Sequence, residues 1–262
     1  SWLDTHGKGT RVLVEPGEDF AAYRWGDTID TVYPGISTRQ FILREQLIMG
    51  SLPTADMMYA IDSPIQEGAY NWNALAPMAR LFSAGDLLVQ NNLQYERYGM
   101  PQPRILWQHF LKPVPGLGTP VGFGKPVPNK STIPWIDEQV LKAPPNLPWP
   151  SPVEVLPVSN PRPIVRGESA SNALVVDGDA TGIADAASVG LLNGNPAILY
   201  AGTLDSHPSQ LTSAIKQGAV LVVTDSNKKR AFKWDLLHGN VGYTETASEN
   251  YASQHPSDAP LR

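Results

Sequence analysis

The chain has 262 residues, 42% hydrophobic and only 17% charged, with 25 prolines, 22 glycines, no cysteine and a formal net charge of −5. That is one large domain or two small ones, at about 100–200 residues each, and it is too apolar for a disordered chain. The missing cysteine excludes disulfides, thiolate nucleophiles, thiolate-bound zinc and iron–sulfur clusters, and it leaves the redox compartment open. The basic residues are scattered apart from Lys228-Lys229-Arg230, so a surface that coats nucleic acid is not expected. No apolar run approaches the roughly 18–20 residues of a membrane helix. The start, Ser1-Trp2-Leu3-Asp4, has neither a leader pattern nor a methionine, which fits a processed or excised part of something longer.

In chain order, Arg11-Val12-Leu13-Val14 reads as a short strand ended by Pro16-Gly17. Helical patterns follow at about 38–49, 54–61 and 72–84, the last starting after Asn71 or Asn73 and stopping at Gly85. Asp86-Leu87-Leu88-Val89-Gln90 is a second strand. From Pro101 to Pro163 lie 16 of the 25 prolines, interrupted by Trp107, Trp135 and Trp149. Proline lacks a backbone donor and restricts the residue before it, which disfavours long helices and central strands there. Three tryptophans do not suit a solvated linker, so this stretch reads as an extended arm packed across one or both flanking units, with a flexible tether as the weaker option.

The last third alternates strongly. Strands are predicted at 173–176, 197–200 and 219–223 and helices at 181–192 and 207–217, the pattern of a parallel sheet. A polar, irregular tail follows Lys228, with Tyr243 and Tyr251 as its main apolar anchors. The expected fold is therefore α/β: two α/β portions with mainly parallel strands, residues 1–100 and 169–262, joined by a Pro- and Trp-rich, mostly irregular packed arm over 101–168. The second portion is expected to be a βαβαβ unit with an irregular tail.

Two motifs could carry chemistry. Val176-Asp177-Gly178-Asp179-Ala180-Thr181 runs from a strand through Asp-x-Asp-x-Thr into a helix, and it resembles the first motif of the haloacid-dehalogenase phosphohydrolases. Thr224 and Lys228 could imitate that family's later motifs, but no later acidic pair exists to hold magnesium. The alternative is a strand-to-helix turn, in which Asp177 or Asp179 caps the helix and Gly178 supplies an unusual backbone angle. The second motif is Tyr23-Arg24-Trp25-Gly26-Asp27. An aromatic ring beside an arginine and an aspartate can stack a sugar while the charged groups bond hydroxyls or phosphate, and Tyr23, Arg24, Trp25 and Asp27 are the candidate substrate-binding residues. Against this stands a structural role, with Tyr23 and Trp25 in the core and Arg24 paired to a nearby acid.

Other patterns carry less. Gly116, Gly118, Gly122 and Gly124 sit among prolines with no following helix, unlike a phosphate loop. His6, His109, His207, His238 and His255 are dispersed without an i, i+4 pair. Gly167-Glu168-Ser169-Ala170-Ser171 lacks the second glycine of a nucleophile elbow. No metal site and no cofactor is expected.

The run Arg11-Val12-Leu13-Val14-Glu15-Pro16-Gly17, with Phe20-Ala21-x-Tyr23-Arg24-Trp25-Gly26, resembles the mycobacterial α-(1→3)-arabinofuranosyltransferase D (AftD) family in its extracytoplasmic part. The resemblance continues through Leu75-Ala76-Pro77, the segment 85–93, Gln94-Tyr95-Glu96-Arg97-Tyr98 and the segment 174–204. It implies a large actinobacterial envelope enzyme whose amino-terminal membrane domain is a lipid-donor (GT-C) glycosyltransferase. Such enzymes transfer arabinofuranose from decaprenyl-phosphate to the arabinan of arabinogalactan and lipoarabinomannan, forming α-(1→3) branches. The family's catalytic acid lies in a loop after an early membrane helix, so the resemblance assigns no catalytic residue to this chain. It implies an extracytoplasmic location, an arabinan acceptor and a polyprenyl-phosphate donor met through the membrane domain, with this segment structural and acceptor-guiding. A stand-alone carbohydrate-binding module and, behind it, a magnesium-dependent phosphohydrolase are the alternatives.

Overall fold

A computed structural model describes residues 1–18, 20–45, 51–97, 102–131, 133, 146–205, 207–224 and 226. The predicted tail after Lys228, with Tyr243 and Tyr251, and Trp135 in the Pro-rich stretch lie outside these residues. Two compact units are formed, Ser1–Ile48 with Ile61–Arg166, and Met49–Ala60 with Gly167–Arg262.

In the first unit, α1 (Trp2–Thr5) leads into β1 (Arg11–Glu15), a β2–β3 hairpin (Ala21–Tyr23, Gly26–Ile29), α2 (Tyr33–Ile36) and β4 (Phe41–Ile42). Helix α3 (Leu52–Gln66), of which residues 52–60 belong to the second unit and 61–66 to the first, a 3-10 turn (Trp72–Ala74), α4 (Leu75–Leu81) and β5 (Ala84–Gln90) follow, then α5 (Pro103–Trp107), β6 (Val121–Phe123) and β7 (Val153–Pro157). The main sheet has the order β4-β1-β5-β7-β6. Strands β4, β1 and β5 run parallel, and β7 and β6 add antiparallel strands beside β5.

Alternation along β1 and β5 divides the core. Val12, Val14, Leu88 and Val155 pack with Leu3 and Tyr33 on one face. Leu13 pairs across to Leu87, which pairs to Leu156, so these three form a row on the other face. Every residue of β5 is buried, the pattern of a central strand covered on both faces, and α4 packs against it. Its one charge, Asp86, is answered by Arg39, whose Nη1 lies 2.5 Å from Asp86 Oδ2 and whose other nitrogen donates to Thr10 Oγ1 and the Arg11 carbonyl.

Three local outcomes differ from the sequence expectation. Phe41-Ile42 form a strand where a helix over 38–49 is predicted, because Phe41 and Ile42 pair in parallel with Val12 and Leu13 and gain a ladder that the mixed helical spacing does not offer. The helix predicted to stop at Gly85 ends at Leu81, with Ser83 at φ +58°, and Gly85 is already in β5. There a Cβ would lie 2.2 Å from Thr10 Oγ1, so this glycine serves a close approach of strands rather than a helix cap. Within the Pro-rich stretch, Val153-Glu154-Val155-Leu156 escapes the surrounding prolines long enough to pair with both β5 and β6.

The second unit holds β8 (Leu174–Asp177), α6 (Ala180–Ser188), β9 (Ile198–Tyr200), α7 (Ala201–Asp205), α8 (Pro208–Lys216) and β10 (Val220–Val223). Its sheet is wholly parallel in the order β10-β8-β9. Val175 packs with Leu204 and Ala214 beneath Leu199 and Leu211. Both units are thus α/β with parallel strands, as the strand and helix signals require.

The carboxyl end of β1 buries several acids. Asp62 accepts hydrogen bonds from the Arg44 guanidinium and from the Gly17 amide at 2.8 Å, and Glu15 lies against it, its carboxyl pushed up by burial and then by the Asp62 charge. Glu18 is completely buried, and among the described residues neither carboxyl oxygen has a well-formed hydrogen bond. Burial first, and Glu45 second, push it up to about 7, partly offset by the Thr31 hydroxyl and Arg44. A carboxyl whose folded pKa is raised binds more protons folded than unfolded, so its contribution is full below about 4.5 and is lost as pH rises to about 7. Glu18→Gln should therefore flatten the fall in stability across that window, by up to about 3 kcal/mol, in chemical denaturation at pH 5 and pH 8. Gly85→Ala should cost about 1–3 kcal/mol in the same assay by driving β5 off Thr10.

Candidate functional site

The sequence motif at residues 23–27 forms the tip of the β2–β3 hairpin. Tyr23 pairs with Gly26, leaving Arg24 and Trp25 as the two connecting residues. Tyr23 is fully buried against Ala21, Leu93 and Tyr95, and burial raises its hydroxyl pKa. Trp25 stacks on the Tyr23 ring, with centroids 4.8 Å apart and planes 3° from parallel, yet it is 61% exposed. One face of the indole is thus held by a core residue while much of the side chain meets solvent.

Arg24 is held on three sides. Its Nη1 and Nη2 donate to the two carboxylate oxygens of Glu96 at 2.6 and 2.5 Å, its Nε donates to Asn129 Oδ1, and its guanidinium carbon lies 5.2 Å from the Tyr95 ring centre. Asn129 in turn donates to the Asn91 and Leu93 carbonyls at 2.7 and 2.9 Å. This is a charge-assisted fork, the arrangement in which arginine gives both energy and fixed orientation. It ties the hairpin tip to the chain leaving β5.

Asp27 sits beside the tip in an exposed polar row. Gln94 Nε2 donates to Asp27 Oδ1 and to the Tyr23 carbonyl, each at 2.9 Å, and Arg97 donates to Gln94 Oε1 at 2.6 Å and to Asp27 Oδ2 at 3.3 Å. The fold therefore brings Tyr23, Arg24, Trp25 and Asp27 together with Gln94, Glu96, Arg97 and Asn129. Glu96 is the acid that sequence reasoning could anticipate for Arg24 without locating it. Asn129, which is 105 residues away in sequence from Arg24, carries no local signal at all. An exposed aromatic face bordered by amide, guanidinium and carboxylate groups is suited to the C–H faces and hydroxyls of a sugar.

The Asp177-Gly178-Asp179 segment lies at the carboxyl end of β8 and resolves as a strand-to-helix turn. Asp179 Oδ1 accepts from the Thr181 amide at 2.9 Å, capping α6. Asp56 Oδ2 accepts from the Ala180 amide at 2.8 Å, so a second carboxylate of the chain occupies the same helix end. Thr224 bonds the Asp177 carbonyl through both its amide and its hydroxyl at 3.1 Å, and Ser226 Oγ accepts from the Asp179 amide. A Cβ on Gly178 would stand 2.2 Å from Thr224 Oγ1. The Tyr200 hydroxyl is pushed up by burial and by the charges of Asp56 and Asp179. The donors that would face a phosphate at this helix end are met by the chain's own acids. Among the described residues no three histidine, aspartate or glutamate side chains are placed to hold a metal ion. Gly116 and Gly122 fit close to Arg80 and to Ser151 with Glu154, so these glycines serve packing.

Among the described residues no helix is long and apolar enough to cross a membrane. No curated protein sequence matches the chain. A cryo-EM structure of the arabinofuranosyltransferase AftD from mycobacteria shares its fold, at 22% identity and a TM-score of 0.62, over 92% of this chain and 17% of that one. Two cryo-EM classes of a mutant of the same enzyme match at 21% and 22% identity, with TM-scores of 0.62 and 0.61 over 92% and 88% of this chain. The chain spans only 17–18% of the length of these structures. The sequence model described as "Alpha-(1->3)-arabinofuranosyltransferase, N-terminal GT-C domain" matches residues 1–258, and with nearly the whole chain covered, the chain belongs to the AftD-type α-(1→3)-arabinofuranosyltransferase family.

Proposed function

We propose that this chain is an extracytoplasmic segment of a membrane arabinofuranosyltransferase, and that it guides the arabinan acceptor toward a catalytic centre carried elsewhere in the polypeptide. The full enzyme would add α-(1→3)-linked arabinofuranose from decaprenyl-phosphate arabinose to the arabinan of arabinogalactan and lipoarabinomannan. Family membership supports the reaction class. The observation that carries the acceptor-guiding role is the indole of Trp25, stacked on buried Tyr23 and largely exposed beside the Asp27, Gln94 and Arg97 row.

The division of labour follows from the chemistry. Transfer from a lipid phosphate needs an acid–base carboxylate at the membrane surface and cationic or dipolar groups around the leaving phosphate. At the hairpin the cation of Arg24 is already neutralised by Glu96, so its role is to hold Trp25 and Asp27 in place. A fixed aromatic face binds without the entropy cost of ordering a mobile one.

In the full-length enzyme, Trp25→Ala should raise the acceptor KM by roughly ten-fold, the worth of about 1.4 kcal/mol of contact, with kcat and melting temperature nearly unchanged. Unchanged kinetics would remove Trp25 from the acceptor path. Arg24→Ala should lower both acceptor affinity and stability, because it leaves Glu96 without its bidentate partner, at a cost of about 3–5 kcal/mol in unfolding measurements.

A further inference from the structure

A second feature of the first unit has sugar-binding chemistry and no part in the hairpin. Where α3 ends, Gly68 takes φ +69° and turns the chain, and Asn71 Oδ1 accepts from the Asn73 amide to open the 3-10 turn that carries Trp72. Between this corner and α5 lies an open cavity of about 110 Å³, lined by Gln66, Glu67, Tyr70, Trp72, Leu106 and His109 among others. A space of this size suits one ring-sized ligand rather than a peptide segment.

Its walls are aromatic and fixed. Trp72 stacks with His109 at 4.6 Å and 21°, and meets Tyr70 and Phe110 edge-on at 5.3 and 5.2 Å. Burial lowers the pKa of His109, which favours the neutral ring, with one nitrogen a donor and the other an acceptor. Tyr70 is only 8% exposed and lines the cavity with its side chain, while its hydroxyl is buried away from solvent near the Glu15 charge and is not one of the ligand-facing groups. Desolvation holds that phenol protonated. Gln66 and exposed Glu67 add an amide and a carboxylate at the rim. Rigid rings for C–H faces, with a few amide, carboxylate and imidazole groups for hydroxyls, make up a lining suited to a neutral sugar, and the Glu67 carboxylate at the rim disfavours an anion.

We propose that this cavity binds a single furanose residue of a neutral pentose glycan, as a second acceptor contact separate from Trp25; the identity of the sugar rests on the acceptor-guiding reading above. The test is photo-crosslinking of the full-length enzyme with a synthetic arabinofuranosyl hexasaccharide carrying a diazirine, followed by peptide mapping. Label on residues 65–72 or 105–109, competed by unlabelled oligosaccharide but not by a maltohexaose control, is the expected result. Trp72→Ala and the exposed-rim variant Glu67→Ala should each reduce that label at least five-fold, the second without involving the aromatic packing. Label confined to residues 20–29 and 94–97 would overturn this site and leave the Trp25 reading standing. Label here that is absent at the hairpin and insensitive to Trp25→Ala would uphold this site and sink that reading. Equal competition by maltohexaose, or no label at either place, would overturn the cavity as a pentose site.

Discussion

Complete burial of β5 is the constraint on which the first unit depends. A strand with no exposed residue must hydrogen bond on both edges and neutralise any charge in place. The first demand is met by β1 on one side and β7 on the other, which is why a strand from the Pro-rich stretch enters the middle of the sheet. The second is met by Arg39 beside Asp86, and breaking such a buried pair costs about 3–5 kcal/mol because a charge is left behind. The same strand then delivers Asn91 to Arg97 to the hairpin, so the position of the candidate sugar-binding face is set by the sheet's central element.

At the hairpin, order is provided from below. Trp25 rests on the Tyr23 ring, and Tyr23 is fixed because it sits in a small core with Ala21, Leu93 and Tyr95. Arg24 adds a second anchor through Glu96 and Asn129. A charged residue next to an exposed aromatic reads naturally as a pair of ligand contacts. Here the arginine works inward and the tryptophan outward, and this separation of roles is the physical content of the proposed acceptor surface.

The second unit shows how an acidic motif at a strand end can be structural. A helix amino terminus attracts anions, and α6 satisfies that attraction internally with Asp179 and Asp56. Asp56 comes from α3, far from the motif in sequence. The parallel order β10-β8-β9 agrees with the βα alternation, but Val220, Leu221 and Val223 on the edge strand are exposed, unlike the doubly covered strands that a continuous apolar run implies.

The sequence by itself determined the α/β class and the positions of β1, β5, β8, β9 and β10, because continuous apolar runs and helical spacing are local signals that survive without a partner; the family came instead from the resemblance of particular stretches such as Arg11 to Gly17 and Phe20 to Gly26. The sequence also picked out Tyr23 to Asp27 as a candidate site, whereas Gln94 to Arg97 entered only as a stretch of the family resemblance, with no role at that site. Only the tertiary structure decided that these two stretches clasp, that Asn129 completes the clasp, that Phe41-Ile42 become a strand, and that β7 joins β5. Each of those outcomes is a pairing between distant residues, whose energy appears only when the partner is present. Arg24 reads alike as ligand contact and as structural ion pair until Glu96 stands 2.5 Å away.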